Sequence, residues 1–136
     1  ALLAKGLPQV IARKETKNGL TALRNILEDE KGRWILQNHE EARSEYPLTF
    51  VRNDAYVSRI IDRTFVEDGV RWIIDYKTGK HEGGNPEYFF EEEKKRYSSQ
   101  LNEYEKILRE KDKAEKKERP IKKALYYPMH KRLVEL

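Results

Sequence analysis

The 136-residue chain contains no cysteine, a single methionine, seven glycines and five prolines. Without a thiol it can form no disulfide framework, thiolate zinc site, iron–sulfur cluster or cysteine nucleophile, and such cysteine usage is expected of an intracellular protein. No apolar run approaches the ~20 residues that a bilayer-spanning helix needs, so no membrane partner is expected. No secretory signal pattern is present either, and a cytoplasmic location is the expectation. A phosphate-binding loop is missing too: Gly79-Lys80 lacks the spaced glycines and the following Ser or Thr, so no nucleotide site is expected. Neither charge sign dominates, with 28 Lys plus Arg against 24 Asp plus Glu and a net charge of +4. That mild basic excess fits an anionic partner such as nucleic acid but is too evenly spread to establish one.

What is present is 38% hydrophobic and 38% charged residues, enough for one core under a densely charged surface. The length is that of one domain. The chain begins at Ala1 inside a helical pattern and without an initiator Met. It is therefore expected to be a single domain over 1–136, truncated at its N-terminus and excised from a larger protein, with a helical lead-in over 1–44 and a core over 45–136.

Apolar residues recur at helical spacing through 1–38 (Leu20, Leu23, Ile26 and Leu27, then Trp34, Ile35 and Leu36), punctuated by Gly6, Pro8 and Gly32. From Glu45 the chemistry becomes that of strands, over 46–51, 56–66 and 70–76. These read as three consecutive antiparallel strands. Residues 79–86 read as a loop, and a long helix over 88–110 carries Phe90, Tyr97, Leu101, Tyr104 and Leu108 on one face. Residues 111–117 read as a solvated charged stretch, 121–127 as a strand and 132–135 as a short final strand. The expected fold is α/β: a mixed sheet with an antiparallel three-strand meander, flanked by helices.

The informative segment runs from Arg59 to Gly79. Asp68-Gly69 is a strong hairpin signal, and a two-residue turn there pairs Glu67 with Val70 and sets every pairing outward. Counting back, Asp62 faces Asp75. Opposed residues share a face and side chains alternate, so Asp62, Asp75 and Lys77 converge, while Phe65 and Trp72 pair on the other face. Two carboxylates opposed across a ladder, with Cβ atoms roughly 5 Å apart, repel unless something positive sits between them. Oxygen-only donors favour a hard divalent cation, Mg²⁺ or Mn²⁺, which would polarise a phosphodiester and lower the pKa of a bound water. Lys77 would then stabilise developing charge. On spacing alone, an ordinary surface ion pair explains Asp62 and Lys77 equally well.

Asp62 in an Ile-Asp-Arg strand, Asp75-Tyr76-Lys77-Thr78 at a strand end, and Gln100 with Tyr104 on the following helix together resemble the PD-(D/E)XK nuclease superfamily, in its RecB-like branch. The segment 60–78 is similar to the version at the C-terminus of UvrD/Rep-type superfamily 1 DNA helicases, and the likeness extends from about Trp34 to Tyr126. The resemblance implies a restriction-endonuclease-like core and a Mg²⁺-dependent deoxyribonuclease, an exonuclease working within a helicase–nuclease in DNA repair or recombination. DNA and the helicase domains of the same polypeptide would be its partners.

Carried over, the resemblance makes Asp62 and Asp75 metal ligands, the Tyr76 main-chain carbonyl a further ligand and Lys77 the catalytic lysine. Glu45 matches the acidic residue that opens the first core strand and is a candidate extra ligand; it reads equally well as a solvated carboxylate beside Arg43. Gln100 and Tyr104, four apart on one helical face, would support the site or contact DNA, with Thr78 beside them. Arg63 points away from Asp62 and reads as structural or phosphate-contacting. The family also carries a metal-binding His on a helix before the first core strand. His39 and His81 lack that context, so this His is expected upstream of Ala1, and His130 reads as a surface residue. The basic clusters over 94–96 and 111–123 could track a DNA backbone with Tyr88, Phe89 and Phe90 stacking nearby, although such runs are usually solvated faces. The rival reading is a nuclease-fold module, catalytically weak or inactive, that binds DNA or docks a protein. The absence of Cys disfavours the iron–sulfur branch of the family.

Overall fold

A computed structural model of the protein describes residues 19–81 and 83–136, so the helical pattern expected over 1–18 lies outside the described residues. The elements are α1 (Gly19–Glu28), α2 (Glu30–Leu36), β1 (Glu40–Arg52), β2 (Ala55–Glu67), β3 (Val70–Tyr76), α3 (Pro86–Ala114), β4 (Ile121–Tyr127), a 3-10 turn (Pro128–His130) and β5 (Arg132–Glu135). The strands form one sheet in the order β1-β2-β3-β4-β5. β1, β2 and β3 make the expected antiparallel meander. β3 and β4 run parallel, which requires a long crossover, and α3 supplies it; β5 returns antiparallel to β4.

The turns explain the meander. Asp68 and Gly69 both have positive φ (51° and 76°), the backbone of a two-residue turn whose twist matches its strands, and Glu67 pairs with Val70 and Phe65 with Trp72 as expected. Asn53 and Asp54 (φ 51° and 63°) do the same between β1 and β2. β1 begins at Glu40, six residues before the expected start at 46. Charged residues there have little strand propensity, but pairing with β2 from Glu40↔Val66 onward holds them extended.

The sheet is covered on both sides. Ala22, Ile26, Ile35 and Leu36 of α1 and α2 pack on Phe65, Ile74, Tyr76 and Tyr126. On the other side, Phe90, Leu101, Tyr104 and Leu108 of α3 pack on Ile61, Ile73, Leu125 and Tyr127. Of the apolar positions read in the first helix, Ile26 is core, whereas Leu20 and Leu27 are exposed because the buried stripe runs through Ala22 instead. The charged stretch at 111–117 is not uniformly solvated. α3 continues to Ala114, and the fully buried Asp112 receives two hydrogen bonds from Arg71, at 2.9 and 2.7 Å. Glu41 completes that group, accepting from Arg71 and Arg119. Burial opposes the Arg71 charge, yet these carboxylates raise its pKa above the usual arginine value.

Gly32 is not punctuation but a contact point inside α2. A Cβ there would lie 2.8 Å from the Tyr126 hydroxyl and closer still to the Ile26 carbonyl, which is backbone and cannot swing away. The same hydroxyl donates to Asp29 Oδ2 at 2.6 Å, and Asp29 caps α2 by accepting from the Gly32 amide. Gly32→Ala should therefore cost about 1–3 kcal/mol despite the better helix propensity of alanine, read as a lowered midpoint in chemical denaturation.

Candidate active site

The site grows from an irregularity shared by β1 and β2. Tyr46 pairs with Ile61, and Ile61 packs on the α3 side of the sheet. Two residues on, Ser44 pairs with Arg63, whose guanidinium turns to the other side and donates to the Ile35 and Gln37 carbonyls at 3.1 and 2.9 Å. Residues two apart on a regular strand share a face, so both strands slip phase at the residues between, Glu45 and Asp62. Glu45 takes up the slip with a left-handed backbone (φ 47°). On the other flank of β2 the ladder with β3 stops at Arg63↔Ile74, one pair short of the expected Asp62–Asp75 pair. Where the next bonds would be, Asp62 Oδ2 accepts the Tyr76 amide at 2.9 Å.

Glu45 and Asp62 thus lie between the Ser44–Arg63 and Tyr46–Ile61 pairs, and Asp75 directly follows Ile74, the last β3 residue paired with β2. Asp62 and Asp75 are each 2% exposed, a costly place for carboxylates. Lys77 Nζ lies 2.8 Å from Asp75 Oδ2. Its backbone is held past the end of β3 by donating to the Tyr126 carbonyl at 2.9 Å. The Tyr76 side chain is buried in the core on the far face, where desolvation pushes its hydroxyl well above the usual range, so only its main chain can serve the site. Thr78 is buried at the start of the following loop.

α3 closes the site from above. Gln100 Nε2 donates to the Tyr104 hydroxyl at 2.9 Å, and that hydroxyl reaches the Ile60 carbonyl at 3.4 Å, two residues before Asp62. Tyr104 is buried, so the pair braces β2. Two further residues of the same stripe were not singled out from sequence as site groups: Glu93 and Tyr97. Glu93 is buried and accepts from the Tyr127 hydroxyl at 3.0 Å. Burial first, then Glu93 and the nearby Tyr97 and Asp75, push that hydroxyl far above the usual tyrosine range. Tyr97 presents its ring to Lys77. Their helical spacing from Gln100 and Tyr104 was the available signal, but Tyr97 reads as core and Glu93 as one more charge in a charged run. A cleft of about 420 Å³ opens here, lined by Lys77, Lys80, Phe89, Glu93, Arg96 and Tyr97 among others.

Other expected groups lie elsewhere. Arg63 is buried and spent on two carbonyls and Ser44 Oγ, so of its two readings the structural one describes its surroundings. Phe90 is core and Phe89 packs among His81, Phe90, Tyr127 and His130, which leaves Tyr88 as the exposed ring of the three. Lys111, Lys117, Arg119 and Lys123 are paired with Glu115, Glu41 and Glu105, and Arg119 and Lys123 are largely covered. His39 stacks on Phe65 and donates to the Trp34 carbonyl, on the sheet face away from α3. His130 is not a plain surface residue: its Nε2 accepts the His81 amide at 2.9 Å and so pins the loop that follows Lys77.

Burial, then the charges of His81, Lys80 and Arg132, hold His130 below the ordinary histidine value. The neutral ring is the form that accepts the His81 amide. The stabilisation is therefore complete above the unfolded value of about 6.5 and lost as pH falls from there through the lowered folded pKa. Denaturation midpoints should drop over that window, and His130→Asn should flatten the slope.

Among the described residues no group of three or more His, Cys, Asp or Glu forms a metal cage. Two buried carboxylates beside a main-chain carbonyl instead suit a hard ion that keeps most of its waters, as Mg²⁺ does. A three-layer α/β fold with two acids and a lysine where strands part presents the kinds of group that metal-assisted phosphodiester hydrolysis uses. Residues 1–135 match the PD-(D/E)XK nuclease superfamily, and the chain belongs to that superfamily. Comparison with curated proteins gives no match.

Proposed function

We propose that the protein is a divalent-metal-dependent deoxyribonuclease domain whose centre is Asp62, Asp75 and Lys77. The observation that carries this reading is the pair of buried carboxylates at the end of the β2–β3 ladder with the Lys77 ammonium 2.8 Å from one of them. Two buried carboxylates close together repel each other, and a divalent cation held by both would offset that cost. Membership of a nuclease superfamily supports the same conclusion.

In this reading Asp62 and Asp75, with the Tyr76 carbonyl, hold a Mg²⁺ or Mn²⁺ ion, which supplies Lewis-acid polarisation of the phosphate and a more acidic bound water. Asp62 is oriented for that task by the Tyr76 amide, which fixes its Oδ2. Lys77 offsets the negative charge that builds on the phosphoryl oxygens during attack. Gln100 and Tyr104 keep the Ile60 carbonyl, and with it the strand carrying Asp62, at a set height. Glu45, level with Asp62, is a further ligand or water-positioning group. The exonucleolytic mode, the RecB-like branch and work within a helicase–nuclease in DNA repair are proposed on the resemblance of the motifs at 60–78 and 100–104.

Asp75→Ala and Lys77→Ala should each lower Mg²⁺-dependent cleavage of linear DNA by at least about a thousandfold while far-UV circular dichroism stays unchanged. Titration of Mg²⁺ or Mn²⁺ against single- and double-stranded DNA, with Asp62→Ala as control, tests the whole reading. Chelation should stop cutting. A variant that cut at the parental rate would remove that residue from the site, and a protein that binds DNA without cutting would belong to the docking class.

A further inference from the structure

Among the described residues Lys77 has two partners, and they differ in what a metal ion would do to them. One is Asp75 Oδ2 at 2.8 Å; the other is the ring of Tyr97, whose centroid lies 3.6 Å from Nζ. If Asp75 held a divalent ion, its carboxylate would be shared between two cations, and like charges at that range repel. The lysine stem is long and flexible, so an ammonium released from Asp75 has no intrinsic reason to stay in place. An aromatic face attracts an ammonium through its quadrupole and offers no oxygen for which a metal would compete. Lys77 is only 17% exposed, which strengthens that attraction by limiting hydration of the ammonium.

The ring is itself well placed. Tyr97 stands three residues before Gln100 and seven before Tyr104, on the stripe of α3 that is tied to β2 through the Ile60 carbonyl. The same helix is fixed to the sheet further along, where Glu103 pairs with both Arg52 and Arg59. Its distance to the Asp62 strand is therefore set by a braced helix, not by a mobile loop. We propose that Tyr97 is a positioning residue for Lys77, its ring holding the ammonium over the site independently of Asp75. The inference rests on the nuclease reading of this site and adds to it the group that keeps Lys77 in place once the carboxylate is shared.

The test has a readout that does not depend on cleavage. In the wild-type domain the Lys77 ε-methylene resonances should be shifted upfield by the Tyr97 ring, and should stay so when Mg²⁺ is added to saturation. Tyr97→Phe should preserve the shift, and Tyr97→Leu and Tyr97→Met should abolish it. In cleavage assays Tyr97→Phe should match the parent. The Leu and Met variants should lose roughly ten- to thirtyfold in kcat, with KM changed by less than about twofold. In a Lys77→Ala background, Tyr97→Leu should cost nothing further, whereas a ring needed only for packing would cost the same in both backgrounds. Loss of the upfield shift on Mg²⁺ addition would overturn the proposal, as would parental kcat in both non-aromatic variants or an undiminished loss in the Lys77→Ala background. If the wild type fails to cut DNA, the nuclease reading fails. The resonance shift, measured with and without Mg²⁺ and needing no variant to fold, still decides where Lys77 is held.

Discussion

The hydrogen bond from the Tyr76 amide to the Asp62 carboxylate is the constraint on which the rest of the site depends. It stands in for sheet bonding between β2 and β3 at the level where their ladder ends, so the strands can part without orphaning a buried amide. Parting the strands is what makes room for two carboxylates that a continuous ladder would force against each other. The phase slip at Glu45 and Asp62 belongs to the same device, because it lets Ile61 and Arg63 serve opposite cores while the residue between them faces the gap. A strained backbone at Glu45 and two buried acids are locally unfavourable, and such violations gather where a protein does chemistry.

The second feature is how firmly α3 is fixed. Its C-terminal end is held by the buried Asp112–Arg71 pair and its middle by Glu103 with Arg52 and Arg59 and by Glu105 with Lys123. Its N-terminal turn is capped by Asn85, which accepts from the Glu87 and Tyr88 amides. Most of the exposed pairs contribute little singly. The buried one is different, since removing either partner would strand a charge in the core. Together they set where the stripe of Glu93, Tyr97, Gln100 and Tyr104 lies over the strand ends, and hence how the cleft beside Lys77 is shaped.

Much of this was legible in the chain. Asp68-Gly69 dictated a turn that only left-handed residues make well, and counting outward from it gave the register from Glu67↔Val70 to Arg63↔Ile74, the last pair before the expected Asp62–Asp75 one. The motif residues then pointed to the superfamily that residues 1–135 match. The early start of β1 was hidden because Glu40, Glu41 and Arg43 have little intrinsic strand propensity. Their strand conformation comes from pairing with β2 and from Arg71 and Arg119, residues thirty or more positions away. The Arg71–Asp112 pair, the His81–His130 contact and the close seat of Gly32 on Tyr126 were invisible for the same reason.

Period-two alternation and turn chemistry are local properties, so the sequence by itself determined the meander and its β2–β3 register as far as Arg63↔Ile74. Partners across the fold are not local. Only the tertiary structure decided that the ladder stops one pair early, that Arg63 is spent on the Ile35 and Gln37 carbonyls, and that the Tyr97 ring covers Lys77. Each of these depends on where α2 and α3 settle against the sheet. That placement is set by burial of two cores and by desolvated charges finding partners, and it leaves no periodic trace in the chain.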